Sequence, residues 1–392
     1  MNRELAKLVK RTAGLHEDLA LTSVHQWKEE HPGAKAIGHL PIYVPREIIH
    51  AAGMLPVGIM GGGEDLEIIR GDAYFQSYIC HIPRSTIELA LSGRLDCLDG
   101  MLFPSICDVI RNLSGMWKLL FPERYVRYVD VPQNFVPGVG GLFWRRELQD
   151  LKHELEELGG RPIEDEALRA SIAVYNENRR ELAALYAARS KEPWLYPSYE
   201  MYPVVRAGNV LPPEEHTLLL RSYRELARQE SDRVEMDLSR VVVVGAFCEQ
   251  PPIGLLKTLE RAGCFIVDDD MLLGLRWLTE EVPVEGDPMQ NLVDSYLEHS
   301  ASTASRYEPE GDKGRSLVNS VRENMAEGVI LSAPSFCDPA LLDQPMLAAA
   351  LQREGIPYTQ FKYSEDMGQF AVIREQTGTF ADSIRLWSEK GA

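Results

Sequence analysis

The sequence predicts an α/β protein of two lobes, each built on a parallel sheet of the flavodoxin-like or Rossmann-like type, joined by a helical segment. One phrase occurs twice, as Pro104-Ser105-Ile106-Cys107-Asp108 and as Pro334-Ser335-Phe336-Cys337-Asp338. An acidic residue, a glycine and a short apolar run precede each copy. Residues 241–244 are all valine, which is typical of a parallel strand buried on both faces. These observations indicate a duplicated α/β unit.

Each unit begins with a strand, a helix and a second strand. In the first, residues 36–40 and 55–60 are the predicted strands, with Pro45 and Gly53 bounding the helix between them. In the second, residues 241–247 and 264–267 are the strands, with Pro252 and Gly263 in the equivalent places. Proline at the start of a helix and glycine just past its end are typical signals of helix boundaries. Further strands are predicted at 101–103 and 126–131, and at 329–331 and 358–363.

A helical stretch separates the two units. Residues 145–158 place leucines three and four positions apart, the spacing of a one-sided apolar stripe. Residues 164–189 continue this period, and a third helix is predicted over 213–236. We therefore divide the chain into an N-terminal helical arm (1–30), a first α/β lobe (31–145), a helical connecting segment (146–236) and a second α/β lobe (237–392).

Length and charge narrow the classes of function. At 392 residues the chain is long enough for two domains. Its 59 acidic and 41 basic residues give a formal net charge of −18, which repels phosphate backbones and anionic membrane surfaces. We therefore expect neither a nucleic-acid nor a membrane partner, and an anionic substrate would need a locally basic pocket. Residues 1–12 are charged rather than signal-like, and no long apolar run follows, so we predict a cytoplasmic protein.

Three of the six cysteines are candidate metal ligands. Cys107 and Cys337 follow predicted strand ends, and ligands of open parallel sheets bind beyond the carboxyl ends of the strands. Cys80 precedes a predicted helix in the first lobe, and the second lobe has no cysteine in the matching place. A site between the lobes would thus take two thiolates from one lobe and one from the other. Cys97 and Cys264 lie beside apolar residues and are expected in the core.

The type of metal is left open by spacing alone. Thiolates favour zinc or iron–sulfur clusters, and the closely paired cysteines typical of zinc sites do not occur here. Three isolated cysteines suit a cubane cluster, whose corners lie several ångströms apart, and would leave one iron free for water or substrate. The alternative is a non-catalytic, two-lobed binding protein whose cysteines are all buried in the core.

Other chemically active residues lie near these cysteines or at strand ends. Arg84 is a candidate for binding substrate phosphate or a thioester carbonyl, although a surface ion pair is its ordinary role. The acidic run at 268–270 could bind a cation, cap a helix or remain solvated. The glycines at 61–63 could approach a phosphate or form a mobile turn.

Several segments resemble one family. Cys80-His81-Ile82-Pro83-Arg84-Ser85, the stretch 100–108, Ala173-Val174-Tyr175-Asn176-Glu177-Asn178-Arg179 and the stretch 332–338 look like the benzoyl-CoA reductase and 2-hydroxyacyl-CoA dehydratase family. The resemblance covers roughly residues 30–390. The run 248–277 and the chain length are most similar to the smaller cluster-binding (C-type) subunits of the reductase branch.

The resemblance implies a [4Fe–4S] cluster held by Cys80, Cys107 and Cys337. It also implies a homologous cluster-bearing partner subunit, an ATP-hydrolysing iron–sulfur activator and an acyl-CoA substrate, within an oxygen-sensitive enzyme of anaerobic aromatic degradation. The expected reaction is the two-electron, dearomatising reduction of an aromatic acyl-CoA, and the alternative is radical dehydration of a 2-hydroxyacyl-CoA. Protons need a positioned acid, for which His81 and Glu249 are the candidates.

Overall fold

The computed structural model describes residues 2–63, 66–76, 78–245, 251–307, 313–364 and 370–388, and it has the predicted two-lobed α/β architecture. The strands are β1 (Ala36–His39), β2 (Leu55–Gly58), β3 (Gly100–Pro104), β4 (Tyr125–Val129), β5 (Ser239–Val244), β6 (Cys264–Asp269), β7 (Gly328–Pro334) and β8 (Tyr358–Tyr363). They form two parallel sheets with the orders β2-β1-β3-β4 and β6-β5-β7-β8. The identical strand order confirms the duplication.

Helices cover both sheets and connect the lobes. They are α1 (Arg3–Glu17), α2 (Thr22–Glu30), α3 (Arg46–Ala51), α4 (His81–Leu91), α5 (Asp108–Leu120), α6 (Leu142–Gly159), α7 (Asp165–Lys191), α8 (Ser198–Arg206), α9 (Pro213–Arg228), α10 (Ile253–Arg261), α11 (Leu273–Arg276), α12 (Pro288–His299), α13 (Arg315–Glu323), α14 (Asp338–Arg353) and α15 (Phe370–Ser388). A π-helical turn, Pro137–Gly141, precedes α6, and short 3-10 turns occupy Gly71–Ala73, Pro193–Leu195 and Ala207–Asn209. None of the described helices is long and apolar enough to cross a membrane.

The helix boundaries predicted from proline and glycine are present in both lobes. Pro45 and Pro252 are the N-cap residues of α3 and α10. Gly53 and Gly263 follow these helices with φ of 71° and 99°, a left-handed conformation that glycine adopts without steric cost. The two strand–helix–strand units are therefore built from the same sequence signals.

The predicted third helix was too long. We predicted it over 213–236, but α9 ends at Arg228. Ser231 and Asp232 form a turn a few residues beyond that end, in keeping with the preference of these side chains for turns over helix interiors. The Glu230 carboxylate accepts a hydrogen bond of 2.6 Å from the Asn2 backbone N–H, which attaches this turn to the N-terminal arm.

Helix α7 connects the two lobes through two ion pairs. Arg179 pairs with Glu47 of α3 in the first lobe. Ten residues further on, Arg189 pairs with Asp269 at the end of β6 in the second lobe, at 2.6 Å, and both of these side chains are only 2% exposed. A single helix thus fixes both lobes, and each attachment is an almost fully desolvated charge pair.

Part of the second half of the chain packs against the first lobe. Leu273, Trp277, Val293 and Tyr296 lie in the same buried apolar core as the side chains of the first sheet. The Arg46 guanidinium, on the first-lobe side, donates a hydrogen bond of 3.0 Å to the Leu275 carbonyl. The lobes are therefore joined both by α7 and by this crossing segment, residues 273–297.

Candidate functional site

The three candidate cysteines occupy the same position relative to secondary structure. Cys80 is the N-cap residue of α4, Cys107 of α5 and Cys337 of α14. The backbone N–H groups at a helix start are without intrahelical partners and carry a partial positive charge. A thiolate in this position is favoured for the same reason. The sequence placed Cys107 and Cys337 at strand ends and Cys80 before a helix, and their common N-cap position follows from the fold.

The repeated phrase occupies the same position at the end of a strand in each lobe. Its serine continues the sheet for one residue beyond the strand, since the Ser105 N–H donates to Val129 O at 2.9 Å and the Ser335 N–H donates to Tyr363 O at 2.7 Å. Both cysteines then stand at the carboxyl edge of a central strand, where the order of a parallel sheet reverses direction. Ligands bind at such switch points.

The two lobes meet at these cysteines. Cys337 is 3% exposed and forms a small buried group with Ala333 and Ala340, and Cys80 of the first lobe packs against this group. Cys107 of the first lobe lies close enough to Cys337 for the two sulfurs to influence each other electrostatically. The structure therefore brings together thiols from both lobes.

The electrostatic surroundings of Cys107 show opposing effects. Burial raises the pKa of its thiol above the ordinary value. The N–H groups of Ile110 and Val109, in the first turn of α5, act in the opposite direction, and the neighbouring Cys337 and Asp108 raise the pKa again. A thiol in these surroundings stays protonated until a cation binds it as the thiolate, because the helix N–H groups alone do not offset the desolvation.

The donor set at this junction consists of three thiols. Across the described residues, no group of three or more His, Cys, Asp and Glu side chains is compact enough to hold one metal ion. In a cubane cluster each protein thiolate binds a different iron, so the ligands stand further apart than around one ion. Three thiols from two lobes, each at a helix N-terminus and at an apolar junction, have the chemistry that such a group requires.

The other predicted site residues have different surroundings. His81 is the first residue of α4 and is half-buried beside Cys80. Arg84, on the same helix, forms an ion pair with Asp72, with Nη2 and Nε at 2.7 and 2.8 Å from the same carboxylate oxygen. Glu249 lies outside the described residues.

Glu88 is a site residue that the sequence reasoning missed. One oxygen of its buried carboxylate accepts hydrogen bonds from the backbone N–H groups of Ile69 and Gly71, at 2.9 and 2.8 Å, and from that of Arg70. The side chain thus holds the segment that leads to Cys80. A Cβ at Gly71 would lie 2.3 Å from the Arg84 carbonyl oxygen, so only glycine allows this close approach to α4. The single signal in the sequence is an acidic residue inside an apolar helical run.

The acidic run at 268–270 has structural partners. Asp268 accepts a hydrogen bond from Ser320 at 2.6 Å, Asp269 from Arg189 at 2.6 Å, and Asp270 from the Gly245 N–H at 2.7 Å. The three carboxylates therefore connect β6 to α13, α7 and the end of β5. They act as a junction within the second lobe, a role outside the three that the sequence left open.

The Tyr-Asn-x-x-Arg segment of α7 is also a junction. The Asn176 side chain donates to Val282 O at 2.7 Å and accepts from Val282 N–H at 2.9 Å. Arg179 donates to Asn176 Oδ1 at 2.8 Å as well as to Glu47. The Tyr175 ring lies 5.0 Å from the Arg46 guanidinium, a cation–π distance. The motif thus ties α7 to α3 and to the crossing segment.

Both cysteines that were assigned to the core are buried. Cys97 is 4% exposed, and Cys264 is fully buried at the start of β6. Burial raises the pKa of the Cys264 thiol to about 12, so this sulfur stays protonated and inert at neutral pH. The core prediction is confirmed for both residues, and Cys248 lies outside the described part of the chain.

Comparison with known proteins identifies the family. A family model described as 2-hydroxyglutaryl-CoA dehydratase, D-component, matches residues 41–384. The chain belongs to this family. The resemblance inferred from the cysteine segments and from the α7 motif is thereby confirmed.

Curated relatives fall into two groups by similarity. The chain is 58% identical to the C-type component of benzoyl-CoA reductase of Thauera aromatica, over 98% of this chain and 99% of that protein. It is 29% identical to the (R)-phenyllactyl-CoA dehydratase beta subunit of Clostridium sporogenes, over 91% and 93%. It is 30% identical to the beta subunit of (R)-2-hydroxyglutaryl-CoA dehydratase of Acidaminococcus fermentans, over 90% and 93%. Within this family, the chain is therefore markedly more similar to the reductase subunit.

Proposed function

We propose that this chain is the iron–sulfur subunit of an ATP-dependent benzoyl-CoA reductase, an oxidoreductase that adds two electrons to the ring of an aromatic acyl-CoA. The observation that carries the proposal is 58% identity to a benzoyl-CoA reductase subunit over nearly the whole of both chains. Identity to the dehydratase subunits is half as high. The complete enzyme acts as a multi-subunit, oxygen-sensitive assembly in the cytoplasm.

Cys80, Cys107 and Cys337 would hold a [4Fe–4S] cluster, and the fourth iron would be left to water or substrate. Their shared N-cap position supports the assignment, because helix N–H groups stabilise the negative charge of thiolate ligands. The contact of Cys80 with the Cys337 group supports it further. When bound, the cluster supplies single electrons at low potential for ring reduction.

The chain's own residues shield and orient this chemistry. Ile106 is 7% exposed and Ala333 and Ala340 are buried, so apolar side chains border the thiols on both lobes. Apolar surroundings exclude water from the site, and water would otherwise quench a strongly reducing substrate radical. Protons must then come from a positioned acid, and His81 and Glu249 are our candidates for it. Arg84 contributes a positive charge near Cys80 for the thioester or the phosphates of coenzyme A, while Asp72 fixes its guanidinium.

The proposed partners are a homologous cluster-bearing subunit and a separate ATP-hydrolysing iron–sulfur activator. The three relatives described above are all named as subunits of larger enzymes, which supports an assembly of this kind. This chain contains no Gly-x4-Gly-Lys-[Ser/Thr] sequence and is therefore not itself a P-loop ATPase.

Radical dehydration of a 2-hydroxyacyl-CoA is the second candidate function. The observation that favours it is the family match itself, whose description is a dehydratase component. The two reactions are separated by assaying the purified complex anaerobically with ATP, a reductant and either benzoyl-CoA or a 2-hydroxyacyl-CoA. We expect consumption of benzoyl-CoA, and consumption of the hydroxy substrate alone would overturn the proposal.

A non-catalytic binding protein is the remaining rival, and iron analysis distinguishes it. We expect about four iron and four sulfide per chain after anaerobic purification, as a [4Fe–4S] cluster requires. A colourless, iron-free protein of full stability would instead favour the binding protein with core cysteines.

A further inference from the structure

A large cavity lies at the opposite edge of the second sheet from Cys337. Its volume is about 740 Å³, within the range of small-molecule sites. It is bounded by the link 193–199, by the loop 232–238, by α10 and by the start of β6. Because β6 is six residues long, this edge lies roughly 20 Å from the carboxyl edge of the sheet. The cavity is therefore not part of the cysteine site, and a ligand bound in it would have a different role from the cysteines.

Aromatic and apolar side chains form the walls of this cavity. Trp194, Tyr199 and Phe265 line it, and the Trp194 and Phe265 rings lie 6.3 Å apart. Val234 and Met236 stand at its mouth and are 65% and 55% exposed. Half-buried rings at a cavity wall favour a flat ligand that stacks on them.

Glu260 supplies a carboxylate with one uncommitted oxygen. Its Oε1 accepts a hydrogen bond of 2.6 Å from the Ser198 N–H. Its Oε2 is buried and makes no hydrogen bond of standard geometry within the described part of the chain, although the Ser198 side chain also interacts with this carboxyl. Burial raises the pKa of this carboxyl to about 7. A buried acceptor without a partner costs free energy, and a ligand N–H group would remove that cost.

Basic side chains provide the third element. The Lys257 ammonium lies 5.6 Å from the centre of the Tyr199 ring, and Arg261 stands nearby on the exposed side of α10. Neither side chain forms an ion pair within the described ranges. Asp232 and Glu260 also line the cavity. On a chain with a net charge of −18, two cations that form no ion pair nevertheless make this cavity a locally favourable site for an anion.

We propose that this cavity binds an adenosine phosphate. The base stacks on Trp194 and Tyr199, its exocyclic amine donates to Glu260, and its phosphates contact Lys257 and Arg261. An adenine carries the flat ring and the N–H donor, and its phosphates carry the negative charge, so one ligand meets all three features. The inference does not rest on the proposed function, since the cavity is remote from the cysteines.

Calorimetric titration of the full-length chain, purified without other subunits, tests the proposal. Adenosine diphosphate and inosine diphosphate are the matched probes, because inosine replaces the amine donor by a carbonyl. We expect adenosine diphosphate to bind at least about tenfold more tightly, as for a hydrogen bond to a charged group. Coenzyme A, which contains the same adenosine diphosphate unit, is the third probe, and tighter binding of coenzyme A than of adenosine diphosphate would identify it as the source of the nucleotide.

Two variants assign the binding to this cavity. Lys257→Ala should weaken binding of adenosine diphosphate by about tenfold or more, whereas Lys10→Ala, at an exposed residue of α1 that does not line the cavity, should leave it unchanged. Glu260→Gln keeps the side-chain shape, and it should bring the affinities for adenosine and inosine diphosphate to within a factor of about three.

Hydrogen exchange gives an independent readout of the location. Adenosine diphosphate should slow exchange in residues 232–238 and in α10, and should leave α14 unaffected. Absence of binding by every probe, equal affinity for the two diphosphates, or full affinity in Lys257→Ala would each overturn the proposal.

Discussion

The two Pro-Ser-x-Cys-Asp turns have the same position in their sheets but different surroundings. In the first lobe, Ile106 is buried and Cys107 is half-buried; in the second, Phe336 is 51% exposed and Cys337 is buried. Phe336 also has a φ of 65°, which a bulky residue adopts only at a steric cost. The position of the cysteine is thus the same in both lobes, whereas the side chain before it is buried in the first lobe and exposed in the second. Among the described residues, the first lobe adds a second thiol to the junction, Cys80.

The largest effect is expected from the cysteines themselves. Cys107→Ala and Cys337→Ala should each abolish cluster binding, because a cluster held from two lobes needs a thiolate from each. Cys97→Ala is the matched control, since this cysteine lies in the first-lobe core, and it should retain its iron. Iron and sulfide analysis after anaerobic purification measures the difference. Equal iron in all three variants would show that the two turns do not share a metal centre.

Helix α7 is attached to the two lobes by ion pairs of different burial. Arg189→Met leaves the buried Asp269 to its more distant partner Arg276, at 3.5 Å, so we expect the free energy of unfolding to fall by about 3 kcal/mol, the lower end for breaking a buried ion pair. Arg179→Met should cost less, because the Arg179 side chain retains 11% exposure against 2% for Arg189. Urea unfolding followed by circular dichroism gives these values.

An exposed ion pair is the control for these two variants. Arg322 and Glu354 are 63% and 42% exposed, and Arg322→Met should change the free energy of unfolding by at most about 1 kcal/mol. If Arg189→Met has no greater effect than Arg322→Met, the second lobe does not depend on its attachment to α7.

The lobes also differ at the residue three positions before the glycine that closes their first helix. The first lobe has His50, hydrogen-bonded to Ser171 at 2.9 Å, and the second has the buried Glu260. Burial raises the pKa of Glu260 from an ordinary 4.5 to about 7. Between these values Glu260 holds a proton in the folded chain that it releases in the unfolded chain. The contribution of this carboxyl to stability is therefore fully present below pH 4.5 and is lost as the pH rises through 7.

The expected loss is up to about 3 kcal/mol between pH 5 and 8, and Glu260→Gln should abolish it. Chemical unfolding across that pH range measures the effect. Glu214→Gln is the control, because His50 holds the pKa of Glu214 below its ordinary value, and this variant should keep the loss. A Glu260→Gln variant with an unchanged pH profile would contradict the assignment.

The smallest effect tests the two turns directly. Phe336→Asn should raise the free energy of unfolding by about 1 kcal/mol, because asparagine tolerates the left-handed conformation better. The same change at the buried Ile106 should lower it by several kcal/mol, as burying an unpaired amide costs about 1–3 kcal/mol beyond the lost apolar contact. Similar responses at the two positions would mean that the turns are equivalent after all.

The sequence predicted those parts of the fold that depend on local pattern. Strand runs, proline N-caps and closing glycines identified both lobes, and the repeated phrase identified Cys107 and Cys337. It did not predict that Glu88 orders the segment before Cys80, or that residues 273–297 pack on the first lobe. Both features depend on contacts between residues far apart in the sequence, and the local spacing of apolar residues carries no information on such contacts. The left-handed backbone conformation of Phe336 could not be predicted either, because aromatic residues rarely adopt a positive φ.

The attachment of α7 to both lobes bears on the stability of the protein without the proposed cluster. Because ion pairs that involve no cysteine attach α7 to both lobes, we expect protein that has lost the proposed cluster in air to keep its fold and to be able to bind a cluster again. Any opening of the interface between the lobes would then have to come from contacts with neighbouring subunits or from bending of α7, and not from separation of the two lobes as rigid bodies.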